Sequence, residues 1–505
     1  MKHFCAALSV GASLFGALLF GLSLGFSGPA IDTMKDSVTT PDGDHVPIGA
    51  GSDLFVFRTS NEASLFGSLI NIGAIIGSLT GGPVNHKFGS KWSLIGASPL
   101  FLLAFLWIGL ARTAWQLIVA RGVVGIALGL SSFSVPTYIG EISPTKYRGL
   151  FGACNQLGIT IGILLAYLLG LAFRTQAESL DPNATSRTFC NWRILSFVYI
   201  IPAALLGICM FFVPESPRRL AENSRNEEAK AIVIKLRGGD ENDPVVKAEL
   251  MALDAITSAK ANEANEKGSV MKSLRALNEC RMQLFIGIML QVLQQFSGVN
   301  AIIFYQTSIF QAAGIDNRNE VALSVMAVQV GVTIVAVLVV DKLGRRVLLV
   351  TAASGMCISA ICEGIFFYLN DVSGNENVGW LAITAAYGYI ATFSLGVGAI
   401  PWLIMAEIFP DKVRGLAASI ATMTNWLCSF IVTQFLDQLR GAITFYGVFW
   451  LFAGMCLIMV LFVLFMVPET KGKTFEEIQA YFYYRKHARA GVDNQPSAVP
   501  NPPTK

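Results

Sequence analysis

The chain has 505 residues, of which 53% are hydrophobic and only 14% charged, and its formal net charge is +3. Soluble domains carry roughly 25% charged residues, so an ordinary soluble fold is excluded. The small charge excess gives no reason to expect a nucleic-acid partner; it reflects basic loops flanking apolar segments.

Apolar stretches long enough to cross a bilayer as helices recur about twelve times: near 8–30, 64–84, 92–110, 115–139, 150–172, 193–213, 282–312, 320–340, 347–369, 379–405, 415–436 and 442–466. The first follows Met1-Lys2-His3 in the manner of a signal peptide. Its apolar run continues through Gly21, Gly25 and Pro29, beyond the about 7–15 residues of a signal core, so it reads as a span. The loop at about 32–63 holds Pro41, Gly43, Pro47, Gly49 and Gly51, which argue against a regular element. Between spans five and six, Asn183-Ala184-Thr185 is a sequon that makes Asn183 a glycosylation candidate. The polar stretch 217–280, with Glu227, Glu228, Lys230, Lys235 and Arg237, reads either as short amphipathic helices under the bundle or as a solvated spacer. The tail after Tyr484 is Pro-, Asn- and Ala-rich and is expected to stay without fixed structure.

The expected fold is therefore an all-α membrane protein of twelve transmembrane helices. The expected division is a six-helix half at 1–216, a cytoplasmic helical linker at 217–280, a second half at 281–470 and a cytoplasmic tail at 471–505. With both termini cytoplasmic, roughly 28 of the 37 Lys and Arg residues fall on the cytoplasmic side and about 8 outside. The nine cysteines show no metal-ligand spacing and all four histidines lie outside the spans, so no metal site is expected.

The two halves repeat one another. Gly140-Glu141-Ile-Ser-Pro-Thr-Lys146-Tyr-Arg148-Gly149 and Ala406-Glu407-Ile-Phe-Pro-Asp411-Lys412-Val-Arg414-Gly415 share a Glu-Ile-x-Pro-x-Lys-x-Arg-Gly pattern about 266 positions apart. His86-Lys87-Phe-Gly89-Ser90-Lys91 matches Asp341-Lys342-Leu-Gly344-Arg345-Arg346, and Val213-Pro214-Glu215-Ser216 matches Val467-Pro468-Glu469-Thr470, each about 255 apart. A duplication of an even number of spans keeps both copies in one orientation, related by an axis along the membrane normal.

Within the spans, charge is scarce: Arg121 and Glu363 stand nearly alone. An ion pump needs more buried acids or bases than that. The interior polar groups are amides: Asn155, Gln156, Gln291, Gln294, Gln295, Asn300, Gln329 and Asn425. Each amide donates and accepts, which suits a ligand dense in hydroxyls, although membrane amides also hold helices together. Gln291, Gln294 and Gln295 share one helical face. Phe304, Tyr305, Trp402 and Trp426 could pack on the C–H faces of a sugar ring, and Gly298, Gly396, Gly398 and Pro401 mark breakable helices. No P-loop, His-Glu-x-x-His or Gly-x-Ser-x-Gly pattern points to an enzyme, and nothing calls for a cofactor.

Taken in order, Pro214-Glu-Ser-Pro-Arg218, Gln294-Gln-Phe-Ser-Gly-Val-Asn300, Asp341-Lys-Leu-Gly-Arg-Arg346, Pro401-Trp402 and Pro468-Glu-Thr-Lys-Gly472 make the chain resemble the sugar porters of the major facilitator superfamily. The likeness covers essentially the whole chain. The Gly25–Ile31 run and Gln329 resemble the intracellular-type animal glucose transporters and their plant relatives. The resemblance implies facilitated transport of a hexose such as glucose by alternating access, with proton-coupled hexose or polyol transport as the alternative and a non-transporting sensor as a third. It implies sugar contacts at Gln156, Gln294, Gln295, Asn300, Gln329, Trp402 and Asn425. It also implies a cytoplasmic network of Glu141, Arg148, Glu215, Arg218, Asp341, Arg345, Arg346, Glu407, Arg414 and Glu469 that holds the outward-facing state. Ser23 stands where proton-coupled members carry an Asp, and serine does not titrate near neutral pH. His86 and Ser90 depart from the motif, which predicts a latch stronger in its second half. The partners implied are a neutral sugar and the lipid bilayer, with no obligate protein partner and with the plasma membrane favoured over an internal compartment.

Overall fold

The computed structural model describes residues 4–31, 34, 37–39, 45–47, 57, 59–144, 147–177, 187–238, 243, 244, 246–251, 253, 277–315, 317–373, 378–410, 413–473 and 475–490. Twelve helical segments among them are long and apolar enough to cross a membrane. The first half comprises α1 (Phe4–Gly25) continued by the short α2 (Ser27–Ala30), then α3 (Ser60–Phe88), α4 (Ser90–Leu110), α5 (Ala114–Ile142), α6 (Arg148–Ala172) and α7 (Trp192–Phe212). Two polar helices follow, α8 (Pro217–Glu222) and α9 (Asn226–Arg237). The second half comprises α10 (Arg281–Phe296), α11 (Val299–Ala312), α12 (Arg318–Leu343), α13 (Arg345–Ser373), α14 (Gly379–Thr392), a π-helical turn (Phe393–Val397), α15 (Ile400–Ile408), α16 (Arg414–Gln434) and α17 (Leu436–Met466), and α18 (Phe475–Ala490) ends it.

Local chemistry sets several of these boundaries. Thr59 and Glu62 form a reciprocal capping box at the start of α3, and the side chains of Thr113 and Asn191 cap α5 and α7. Ser216 caps α8, whose first residue is Pro217, and Gly238 closes α9 in the left-handed region. Against the sequence expectation, the 32–63 loop contains a short antiparallel ladder, β1 (Ser37–Thr39) with β2 (His45–Pro47). A second ladder, β3 (Arg174–Ala177) with β4 (Arg187–Cys190), flanks the sequon. Asn183 itself lies outside the described residues.

Without a hydrophobic drive between helices in lipid, close approach of backbones does the packing. Gly73 and Gly77 of α3 meet Gly125 and Gly129 of α5, two GxxxG pairs face to face. A Cβ on Gly73 would lie 2.1 Å from the Gly122 carbonyl oxygen, and one on Gly125 2.2 Å from that of Ile70. Gly21 of α1 meets Gly162 of α6 in the same way. The halves meet where α3 packs on α16 and α6 on α12. The linker is not a bare spacer. Leu220, Ala221 and Ala229 form a small core of their own, and Arg237 donates to the carbonyls of Ile142 (2.9 Å) and Ser143 (3.2 Å), tying α9 under α5.

Candidate substrate-binding site

The bundle has a terminal face, carrying the linker and α18, and an opposite face. At the opposite face the halves are joined. Tyr167 donates to the Ile303 carbonyl (2.7 Å), Thr307 to that of Gly28 (2.7 Å), Ser64 to Asp437 (2.8 Å) and Ser68 to Gln434 (2.5 Å). Helix α11 supplies two of these contacts. It exists as a separate helix because Gly298, at φ +93°, breaks the span; a Cβ there would lie 2.4 Å from Phe452. Tyr389 donates to the Ser297 carbonyl (2.6 Å) freed at that break.

Four of the seven predicted sugar contacts, Gln294, Gln295, Asn300 and Asn425, come together beside the break as a buried amide cluster. Asn425 is the hub. Its Nδ2 donates to Gln291 (2.7 Å) and Gln294 (2.9 Å), and its Oδ1 accepts from Gln295 (3.1 Å). Asn300 donates to Gln295 Oε1 and to Ser429 Oγ, both at 2.8 Å. Ser429 donates to Asn71 Oδ1 and Asn71 to Thr433 Oγ1, both at 3.1 Å, so the chain of polar groups reaches α3 of the first half. Sequence reasoning missed Asn71, Ser429 and Thr433. A lone Asn in an apolar span carries no mark of its cross-half partner. Gln294 also donates to the Val397 carbonyl at 2.7 Å and to that of Gly398 at 3.1 Å. Pro401 brings no N–H to the carbonyl four residues before it, so the broken helix leaves an acceptor that the glutamine fills.

The other three predicted contacts stand apart from this cluster in hydrogen bonding. Gln156 of α6 and Trp402 of α15 are half-buried. Gln329 of α12 is fully buried, with Oε1 lacking a partner among the described residues. Trp426 presents a buried Nε1 without a partner among the described residues and lies 5.7 Å from Phe20, ring centre to ring centre. In the first half, Arg121 donates to the Ser27 hydroxyl at 2.7 Å and sits 5.5 and 5.3 Å from the rings of Phe26 and Phe66. Among the described residues its company is a hydroxyl, two rings and the nearby Tyr199 rather than a carboxylate, and the buried Ser23 hydroxyl has no partner there.

At the terminal face the repeated motifs adopt matching geometry with different chemistry. Gly89 and Gly344 take φ +92° and +94° at the two helix junctions. In the second half, Arg345 bonds Glu407 through Nε (3.2 Å) and Nη2 (3.1 Å), and Glu469 accepts the backbone N–H groups of Arg345, Arg346 and Thr470 (3.0 Å each) and Lys471 (2.9 Å). Glu469 thus caps α13 with a full charge at the positive end of its dipole. Burial pushes its carboxyl up, but these four donors outweigh it and hold the group below the ordinary carboxylate range. In the first half Ser90 occupies the place of Arg345 and donates to Glu141 at 2.8 Å, a hydroxyl where the repeat has a guanidinium. Glu215, the match of Glu469, accepts the Ser216 N–H at 3.0 Å; burial outweighs that bond and the nearby Lys91, Arg219 and Arg225, and pushes its carboxyl up. Arg218 pairs with Glu222 at 3.2 Å, Arg346 donates to the Leu464 carbonyl and Arg414 to that of Phe409 (3.3 Å). The side chains of Arg148 and Asp341 lie outside the described residues.

The Sugar (and other) transporter family model matches residues 8–482. The chain belongs to that family. Among its relatives, the sugar transporter ERD6-like 6 of Arabidopsis thaliana is 37% identical over 476 residues, covering 92% of this chain and 88% of the relative. The mouse (Mus musculus) solute carrier family 2, facilitated glucose transporter member 8, is 35% identical over 491 residues, 93% of each chain. The facilitated trehalose transporter Tret1 of Polypedilum vanderplanki is 32% identical, covering 95% of this chain and 88% of the relative. Among solved structures, the major facilitator superfamily proton:xylose symporter XylE bound to 6-bromo-6-deoxy-D-glucose superposes with a TM-score of 0.74 at 26% identity, covering 95% of this chain and 100% of that one. The family and the major facilitator fold expected from the ordered motifs therefore hold.

Proposed function

We propose that the protein carries a neutral hexose across a membrane by facilitated diffusion, alternating between two arrangements of its halves. The observation that carries this reading is the amide cluster centred on Asn425, buried beside a broken helix and linked through Ser429 to Asn71 of the other half. Its amides bond chiefly to one another, so sugar hydroxyls can replace those bonds nearly one for one. Exchange of that kind gains little net free energy per bond, and a carrier must release what it binds. Gln156, Gln329, Trp402 and the Trp426 N–H would complete the sugar contacts as the halves rock. The pairing of Arg121 with the Ser27 hydroxyl supports uniport, because among the described residues no carboxylate pairs with that cation. The basic residues of the linker and tail support a cytoplasmic terminal face, which makes the present state inward-facing. On this reading the terminal-face groups Glu141, Glu215, Arg345, Glu407 and Glu469 form the latch of the outward-facing state, stronger in the second half. We place the carrier in the surface membrane, a location that surface biotinylation of intact cells checks.

A second reading, proton-coupled transport, is favoured by the similarity to the proton:xylose symporter. A substrate panel of hexoses, a polyol and a disaccharide in proteoliposomes, with and without a pH gradient, separates the two. Hexose equilibration unaffected by the gradient supports uniport, and accumulation driven by the gradient overturns it.

A further inference from the structure

Behind α11, on the side away from the first half, lies a partly enclosed cavity of about 20 Å³, room for about one water. Gln306 and Phe310 of α11, Ser359 and Glu363 of α13, Tyr389 of α14 and Phe449 of α17 line it. Glu363 and Gln306 are 4% and 1% exposed. Neither amide atom of Gln306 nor Oε2 of Glu363 finds a partner among the described residues. The neighbours of Gln306 on α11 face the other way: Tyr305 reaches toward the Thr433 carbonyl at 3.5 Å, and Thr307 holds the Gly28 carbonyl. One face of α11 thus closes the pathway while the other holds an unfilled polar pair.

The lining offers Glu363 no cation. From the packed elements, the titratable side chains within the spans are Tyr305 of α11, Tyr387 and Tyr389 of α14, Tyr446 and Cys456 of α17, and Cys357, Cys362 and Tyr368 of α13 itself. The charged groups Arg345, Arg346, Asp371, Asp437 and Arg440 sit at helix ends, and among the described residues no Lys, Arg, His or second acid lines the cavity. A bare carboxylate in such a place is costly unless something positive joins it. We propose that Glu363 and Gln306 form a proton-binding site, bridged by one water behind α11, and that its occupancy sets how readily α11 opens the face now closed. The proton comes from solvent and returns to it. When bound, the carboxylic O–H donates to the water or to Gln306 Oε1 while the Gln306 amide N–H donates back, which braces α11 shut. When it leaves, the carboxylate seeks water and the brace is lost. The consequence for transport rests on the carrier reading above, but the site is tested without sugar.

The test uses the full-length protein in lipid nanodiscs, in a background with the native cysteines replaced and Asn61→Cys as a reporter of opening. Acid-minus-alkaline infrared spectra should show a protonated-carboxyl stretch that Glu363→Gln removes and Gln306→Leu shifts in frequency. Reporter labelling should rise about threefold or more from acid to alkaline buffer in the parent and stay flat in Glu363→Gln. A parent with flat labelling, a stretch that survives Glu363→Gln, or labelling that follows sodium at constant pH would each overturn the proposal. Gln306→Leu leaves the acid in place, so its spectrum decides the matter if Glu363→Gln fails to fold.

Discussion

Glu407→Gln probes the proposed latch where its geometry is most informative. Glu407 Oε1 takes both bonds from Arg345, whereas Oε2 is buried without a partner among the described residues. At 3.1 Å and an effective dielectric constant near 20 the Arg345 attraction is about 5 kcal/mol gross, and desolvation with partial exposure leaves about 1–2 kcal/mol net. That bond already exists in the state closed at the opposite face. Losing it penalises both states wherever it persists, and only the difference between states shifts a population. On the proposed latch, the difference comes from Oε2, which would gain a partner when the terminal face closes. One partly exposed charge-assisted bond is worth about 1–1.5 kcal/mol, so the variant should move the equilibrium roughly five- to tenfold toward the terminal-open state. Cysteine reporters near Gly152 on the terminal face and at Asn61 on the opposite face read this directly. A labelling ratio unchanged from the parent would refute the reasoning.

The remaining predictions concern the amide hub and the uneven repeat. Gln295→Ala removes bonds to both Asn425 and Asn300 and should weaken hexose affinity about tenfold, roughly 1.4 kcal/mol, by tryptophan-quenching titration; unchanged affinity in a folded variant returns Gln295 to helix packing. Glu469, held below the ordinary range, stabilises the fold above its unfolded value of about 4.3 and loses that contribution as pH falls through its lower folded value. Glu215, held above it, has the opposite sign and costs stability as pH rises past about 4.3. Melting curves at neutral pH should therefore show Glu469→Gln lower by about 1–3 °C and Glu215→Gln not lowered. Gly344→Ala places a Cβ at φ +94°, 2.8 Å from Glu469, and should cost about 1–3 kcal/mol; Gly89→Ala meets its nearest atoms at 3.3 Å and should cost less in the same assay.

The twelve spans and their duplication were legible because hydropathy and repeated motifs are local signals. The breaks at Gly298 and near Pro401 were legible for the same reason, since glycine and proline act on their own backbone. The ladder β1–β2 was missed because Pro41 and Gly43 read as breakers of the whole loop, whereas strands form on either side of them. At the candidate site, polar amides in apolar spans stood out singly, but their partners did not. Asn71 joins the cluster only through tertiary contact with α16, and Gln294 bonds Val397 because a proline in another helix withholds an N–H. The asymmetry of the repeated terminal-face motifs was half-visible. His86 drew attention, yet the change that alters the geometry is Ser90 in the place of Arg345, which turns an ion pair with the repeated glutamate into a hydroxyl bond.

Counterflow tests the carrier most directly. Proteoliposomes loaded with unlabelled glucose, with no ion gradient, should take up labelled glucose to a transient peak above equilibrium, and the peak should shrink in Gln295→Ala. Saturable glucose binding with no counterflow would contradict transport by alternating access.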